Sequence, residues 1–430
     1  MNLAYKYPII YWNCACLISD SGSINADATT DYKKMARAIG NARQAGIKIS
    51  LPDINRAQSS FVLDEKKNEI LYGLKGLVNV GADVVDLIIQ NRPYVSIKDF
   101  TNRVKINKQP MLSLIKGGAF DNLGLDRKLT MGWYLWNSCD RKKRITLQNL
   151  AGLIKNNLIP AGEEFQQAKR IFEFNRYLKD KCKTPIDKEN YHLDIRAIDF
   201  LTSVGFDGLI EDNCLNIKEW NSVYQASMNV FRDWIKDNQD QILNTLNETL
   251  FLEAWNKNAR GSLSAWEMES LCFYYHEHEL AHINKAKYSL TNFNELPEQP
   301  QVERSFIKGG RTIHLYKIRR ICGTCIAKDK NKGIISLLTT SGVINVKFRK
   351  EYFALFDKQT SEIQGDGTKK VIEKSWFTRG NKLIIQGIRQ GESFIAKKYN
   401  STPGHTLYRI DSVLNNGDVV LQDERIQTNV

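Results

Sequence analysis

The residues best placed to do chemistry in this chain are not its acids. From Leu77 to Ala82 the order Leu-Val-Asn-Val-Gly-Ala puts Asn79 and Gly81, two residue types that tolerate unusual backbone angles, on either side of the apolar Val80. A helix beginning at Gly81 or Ala82 would turn its unpaired amides and positive dipole end outward, which suits a phosphate. Leu77, Val78, Asn79, Val80, Gly81 and Ala82 are therefore candidate contacts to nucleic-acid backbone. Such contacts carry no base information, so the expected binding is independent of sequence. Lys116-Gly117-Gly118, within Leu114 to Asp121, reads as a degenerate second copy, and paired hairpins can clamp a duplex from both strands. An ordinary tight turn between packed helices would use the same residues.

A second constellation lies nearer the carboxy terminus. Lys328, Lys330 and Lys332 fall in one loop, and Phe348, Arg349 and Lys350 open a mixed basic and aromatic run. Single-stranded nucleic acid is held by such combinations, with cations on phosphates and rings on bases. The alternative is a solvated loop beside an amphipathic helix whose aromatics are core. Cys322-Gly-Thr-Cys325 has no second pair to complete a zinc site and reads as two cysteines in or beside a strand. No residue is assigned as catalytic and none as a metal ligand. No two aspartates are separated by a single residue, and neighbours such as Glu163-Glu164 or Glu211-Asp212 diverge by about 100° on a helix.

The elements that position these residues follow from the pattern. Asp31 to Ala45 is a short amphipathic helix, with Asp31 as its cap and Gly46 beyond its end. Ile47 to Leu51 is a strand, and Phe61 to Leu63 with Ile70 to Tyr72 flank a polar tip as a hairpin. Helices are expected over Ala82 to Gln90, Ser96 to Arg103 and Met111 to Ile115. Residues 126 to 290 are helix-rich. Beyond Pro300 come short strands, Ile321 to Ala327, Ile334 to Leu338, Val343 to Phe348, Leu383 to Ile388 and Leu407 to Val413, which suggest a five-stranded Greek-key barrel. A longer insertion around Gly365 to Lys370 separates its third and fourth strands.

With 430 residues, 42% of them hydrophobic, the chain can fill several cores. Its 61 Lys and Arg against 48 Asp and Glu give a formal charge of +13, which favours polyanionic partners. No apolar run reaches the roughly 18 to 20 residues of a membrane span, and eight dispersed cysteines fit a reducing cytoplasm.

Taken in order, Tyr7-Pro8, Gly46-Ile47-Lys48-Ile49, Pro52-Asp53-Ile54-Asn55, Tyr72-Gly73-Leu74 and Val80-Gly81 resemble the end of the fingers and the entry into tandem helix-hairpin-helix motifs of the bacterial replicative DNA polymerase alpha subunit, the C family, with its phage relatives. Leu114 to Leu123 is similar to the second motif, Glu267 to Leu280 to the helix leading into that family's OB-fold, and residues 321 to 413 to the OB-fold itself. The resemblance implies a multidomain α+β chain: distal fingers over 1–63 with helices and a β-hairpin, tandem helix-hairpin-helix over 64–125, a helical connector over 126–300 and an OB-fold β-barrel over 301–430. It also implies DNA, duplex and single-stranded, as partner. The family's nucleotidyl transfer uses two metal ions on palm aspartates that precede the fingers. The expectation is thus a non-catalytic piece of a split polymerase, with no cofactor of its own and two magnesium ions on a palm-bearing partner chain in a bacterial or phage-infected cytoplasm. A stand-alone replication or repair factor, or the tail of a longer translated polymerase, would carry the same residues. The family also implies a sliding clamp as partner, bound through a peptide; Gln225, Met228 and Phe231 are the candidates, against a helix that buries Met228 and Phe231. Asn79, Val78 and His278-Glu279-Leu280 depart from the family pattern, and the first two predict a weaker grip on DNA.

Overall fold

The computed structural model describes residues 8–21, 30–124, 126–363 and 368–425; Tyr7 and Gly365 to Gly367 lie outside the described residues. The chain divides into two compact units, residues 1–131 together with 261–430, and residues 132–260.

The first unit opens with helices α1 (Ile9–Asp20) and α2 (Tyr32–Gln44). The Asp31 carboxylate accepts the Lys33 and Lys34 amides, and Met35, Ala36, Ile39 and Ala42 form the buried stripe of α2. Strand β1 (Lys48–Ser50) runs parallel to β3 (Glu69–Leu71), whose other edge pairs antiparallel with β2 (Val62–Asp64). Helices α3 (Ala82–Gln90), α4 (Ile97–Arg103) and α5 (Lys108–Lys116) follow. The last begins earlier than its apolar pattern suggests, because Pro110 sits in the first turn, where no backbone donor is needed. Helix α6 (Arg127–Ser138) then leads into the second unit.

That unit contains α7 (Leu150–Lys155), α8 (Glu163–Tyr177), β4 (Asn190–His192), α9 (Ile195–Ser203), β5 (Ile210–Glu211), β6 (Cys214–Asn216), α10 (Ile217–Ser227), α11 (Asn229–Asp237) and α12 (Gln239–Asn258). It has its own core: Phe174 stacks on Phe200 with ring centroids 4.1 Å apart, and the buried Trp220 donates its indole N–H to Asn175 Oδ1 at 3.1 Å.

The chain returns to the first unit through α13 (Leu263–Leu271). The helix expected across Glu267 to Leu280 stops here. Cys272 turns left-handed at φ 59°, and the carboxylate of Glu267 reaches past the helix end to accept the amides of Tyr275 and His276, both at 3.0 Å. A hairpin of β7 (Val302–Lys308) and β8 (Arg311–Tyr316) precedes the barrel.

The barrel is an OB-fold. Strands β9 (Arg319–Asp329), β10 (Ile334–Thr339) and β11 (Gly342–Lys347) form a meander, followed by α14 (Lys350–Asp357) and an inserted hairpin, β12 (Thr360–Ile363) with β13 (Lys369–Glu373). Strand β14 (Lys382–Gln390) pairs with β9, and β15 (Ser393–Ala396) closes the ring by pairing antiparallel with β14 and parallel with β11. A Cβ at Gly387 would lie 2.0 Å from the Ile395 carbonyl oxygen, so this corner closes only with glycine. The fifth barrel strand is therefore not Leu407 to Val413. That segment is β16 (Leu407–Val413), and it shares one edge of β14 with β15: Lys382 to Ile385 face β16, while Gly387 to Gln390 face β15. A final strand, β17 (Val419–Gln422), extends this wing.

Candidate nucleic-acid interface

The first hairpin is held from below. Leu77 and Val80 are buried, and the Val78 amide donates to the Ser270 carbonyl of α13 at 2.9 Å, so the loop rests on apolar side chains and one fixed hydrogen bond. Leu77 and Val80 thus shape the loop and cannot themselves touch a ligand. Asn79 is exposed at φ 64°, the left-handed region expected of it. Gly81 is not left-handed. It sits at φ −82°, ψ 169° as the residue before α3, with no side chain capping the helix, and a Cβ there would meet nothing within 4 Å. Neither backbone nor packing demands glycine at 81, and its hydrogen keeps the amides of the first turn open to solvent. The outward surface is therefore Asn79, Gly81, Ala82 and those amides. Asp83 in the same turn is exposed and opposes an anion there.

The second hairpin faces inward, and this corrects its proposed contacts. Lys116 is buried and ion-pairs with Glu269. A Cβ at Gly117 would lie 2.6 Å from Leu77 Cδ2, and one at Gly118, at φ 80°, would lie 2.6 Å from an Arg127 guanidinium nitrogen. Gly117 is a packing contact between the two hairpins, and Gly118 makes room for the Arg127–Asp121 pair. Around them lies a buried network that the sequence reading missed. Arg127 pairs with Asp121 at 2.6 Å and with the fully buried Glu267 at 3.1 Å, and donates to the Lys116 carbonyl at 3.1 Å. Burial works against the Arg127 charge, but the hydrogen bonds it donates to Asp121 and Glu267, with the charges of those carboxylates, outweigh it and hold its pKa above the ordinary value. The Glu267 carboxylate also takes the His276 imidazole at 2.6 Å. The one signal available was an acid amid the apolar run Trp266 to Met268.

The barrel residues divide. Phe348 is core, packed with Phe353 and Phe377, and cannot stack on a base. Lys328 and Lys330 share the carboxylate of Asp357, and Lys332 reaches Asp329 at 3.7 Å, so the loop cations are partly neutralised by the chain itself. Arg349 and Lys350, at the start of α14, are exposed. Strands two and three of an OB-fold supply its usual binding face; here that face is covered. Ile326, with Leu338 and Val343, packs against Ala36 of α2 and against Met268 and Tyr274, and Tyr274 bonds Thr324 at 2.8 Å. Arg43 donates to the carbonyls of Tyr274 and Tyr275 at 2.7 and 3.0 Å, and His278 lies 3.1 Å from the Leu338 carbonyl. Glu279 ion-pairs with Lys382 at 3.1 Å, which gives a partner to that departure from the family pattern.

Met228 and Phe231 are fully buried in the core of the second unit, and the Gln225 side chain is bound by Arg232, so the proposed clamp peptide has no free apolar anchors. Cys322 and Cys325 both lie in β9, where burial pushes their thiols up to about 11 and about 12. Among the described residues no helix is long and apolar enough to cross a membrane.

Residues 46–130 match the helix-hairpin-helix motif family. Over 99% of its length the chain is 40% identical to the probable DNA polymerase YorL of Bacillus subtilis and to the DNA-directed DNA polymerase of Bacillus phage SPbeta, covering 34% of each. It is 29% identical over 41% of its length to the DNA polymerase III subunit alpha of Campylobacter jejuni, covering 16% of that protein. The chain thus spans about a third of the length of the first two relatives, and the matched portion is their carboxy-terminal part.

Proposed function

We propose, from the premise that this chain is a homologue of the carboxy-terminal portion of phage and bacterial DNA polymerases of the alpha-subunit family, that it grips duplex DNA for synthesis carried out by a palm on another chain. The observation that carries this is the uncapped first turn of α3 behind Asn79 and Gly81, set on a rigid base in a chain that matches a polymerase along 99% of its length. The ligand of that turn is a DNA phosphate, so affinity depends on salt and not on base sequence. The chain supplies position, and the two metal ions of nucleotidyl transfer belong to the partner. Exposed Ile9 and Trp12 on α1 offer an apolar surface for that partner.

Gly81→Asp tests the grip in a way that separates binding from folding. Residue 81 has the extended angles of a helix cap, and aspartate is a better cap than glycine by a few tenths of a kcal/mol. The variant should be as stable as the parent or slightly more so, yet its carboxylate takes the amides that a phosphate needs. Duplex affinity should fall about tenfold, a loss of ~1.4 kcal/mol. Unchanged affinity would remove the hairpin from the interface. The division of labour is tested by primer extension: no incorporation by this chain alone, and incorporation restored on adding a palm-bearing chain. Incorporation by the chain alone would overturn it.

A further inference from the structure

The sequence between Gln301 and Arg320 contains six Lys and Arg, at 304, 308, 311, 317, 319 and 320, against one acid, Glu303. The structure makes most of this segment a two-stranded ribbon, β7 and β8, turned by Gly309 and Gly310 at φ 60° and 73°. Every residue of β7 is exposed. The lysines of the barrel loop are paired with Asp329 and Asp357, whereas no carboxylate lies within ion-pair distance of Arg304, Lys308 or Arg311 among the described residues. Of these two groups of cations, the ribbon's rather than the barrel loop's is left without neutralising carboxylates.

Register sorts its residues by face. Arg304 opposes Leu315, Phe306 opposes Ile313 and Lys308 opposes Arg311, so these six share one side. That side alternates cations with apolar groups and carries Phe306, 41% exposed. An isolated hairpin gains little from its own pairing in water, so an exposed phenylalanine between cations is not explained by the ribbon's own stability. At the base of the ribbon the pattern continues: Lys397 lies over the rings of Tyr316 and Tyr399 at 5.3 and 5.0 Å, and the Tyr399 hydroxyl accepts the Tyr316 amide at 3.0 Å.

We propose that the face of the β7–β8 ribbon bearing Arg304, Phe306, Lys308 and Arg311 binds single-stranded DNA, cations on phosphates and Phe306 on a base. Single strands fit this face better than a duplex, because its apolar half needs an unpaired base surface and a duplex offers chiefly phosphates outside its grooves. The site deepens the polymerase reading above, placing unpaired template beside the OB-fold whose usual face is covered. It does not depend on the first hairpin.

The test is fluorescence anisotropy of a labelled oligothymidylate and a labelled duplex with the full chain, with Arg304→Gln/Lys308→Gln/Arg311→Gln, with Phe306→Ser, and with residues 303–315 replaced by Gly-Ser-Gly. Losing three phosphate contacts lowers the salt slope of single-strand binding by about 2, so between 50 and 200 mM salt the parent should lose roughly 20-fold more affinity than the triple variant. Phe306→Ser and the replacement should also weaken oligothymidylate binding, by about tenfold or more, with duplex binding retained. The replacement removes the ribbon altogether, so its result stands whether or not the point variants keep the hairpin folded. Oligothymidylate affinity unchanged in the replacement, or a fall in duplex binding alone, would overturn the proposal. Loss of duplex binding by Gly81→Asp concerns the other site and leaves this comparison intact.

Discussion

Arg127→Met should loosen the hairpin pair more than any surface change, and the network around it sets the size of the effect. The Arg127 side chain is 4% exposed and its partner Glu267 is 0% exposed, so removing the guanidinium leaves a carboxylate in the interior. Breaking a buried pair on one side costs ~3–5 kcal/mol. Glu267 keeps two backbone amides and the His276 ring, and the half-exposed Asp121 can rehydrate, so the loss belongs at the lower end, about 3 kcal/mol. The affected contacts are local: the Lys116 carbonyl loses its donor, and Gly117 is the residue against which Leu77 packs. Hydrogen exchange at the Val78 amide, bonded to Ser270, and at the Gly117 amide, bonded to Ser113, should therefore accelerate by about 100-fold, alongside a lowered urea midpoint. Arg127→Lys keeps the charge without the fork and should fall between. A methionine variant within 0.5 kcal/mol of the parent, with unchanged exchange at Val78, would refute the claim that this network positions the hairpin.

Stability should also fall in acid because of His278. The Leu280 amide donates to its Nδ1 at 3.0 Å, which leaves Nε2–H to donate to Leu338, and burial holds the ring's pKa below 6.5 despite the Leu338 carbonyl and Glu279. The unfolded chain then binds a proton that the folded one does not, so the contribution is present above the unfolded pKa and lost as pH falls below it. Urea midpoints at pH 7.5 and 5.5 should show this, and His278→Gln should flatten the difference; an equal acid loss in the variant would assign it elsewhere. Phe231→Ala should cost the second unit ~3–5 kcal/mol while Gln225→Ala costs under 1 kcal/mol, read by thermal unfolding. Specific clamp binding that depended on Phe231 in the folded chain would contradict its burial. Lys328→Ala should change DNA affinity less than twofold, since Asp357 already holds that cation; a tenfold loss in the same anisotropy assay would put the loop back in the interface.

What the sequence made legible was local. Asp31 capping α2, the bounds of α3 and the β2–β3 hairpin depend on residues within a few positions of one another, and periodicity reads those. What it hid was long-range. Gly117 and Gly118 resemble the first hairpin's glycine residue by residue, but whether a glycine faces solvent or a neighbouring leucine is decided by Leu77 and Arg127, 40 and 9 positions away. Met228 and Phe231 show the same ambiguity, because an apolar pair three apart suits a partner's pocket and a helix core equally. Strand β15 escaped because four residues, Ser393 to Ala396, carry too little alternation to be seen beside the stronger Leu407 to Val413. The ribbon at 302–316 escaped for a different reason: its charges are plain in the sequence, but whether a cation is neutralised by its own chain, as Lys328 is by Asp357, is decided by the fold.

The covered face of the barrel changes how the first unit is understood. An OB-fold that binds through strands two and three must leave them open, yet α2, Met268 and Tyr274 occupy that side here, with the Arg43 and His278 hydrogen bonds fixing the arrangement. The same helix α13 whose end supplies Met268 also supplies Ser270 to the first hairpin and Glu267 to Arg127. One nine-residue helix therefore touches both hairpins and the barrel, and a rotation of it would move all three together. It follows that the barrel is braced against the two hairpins by the surface that other OB-folds use for ligand. Any single strand that the chain binds must then run along another side, and the ribbon of β7 and β8, with every residue of β7 exposed, offers one.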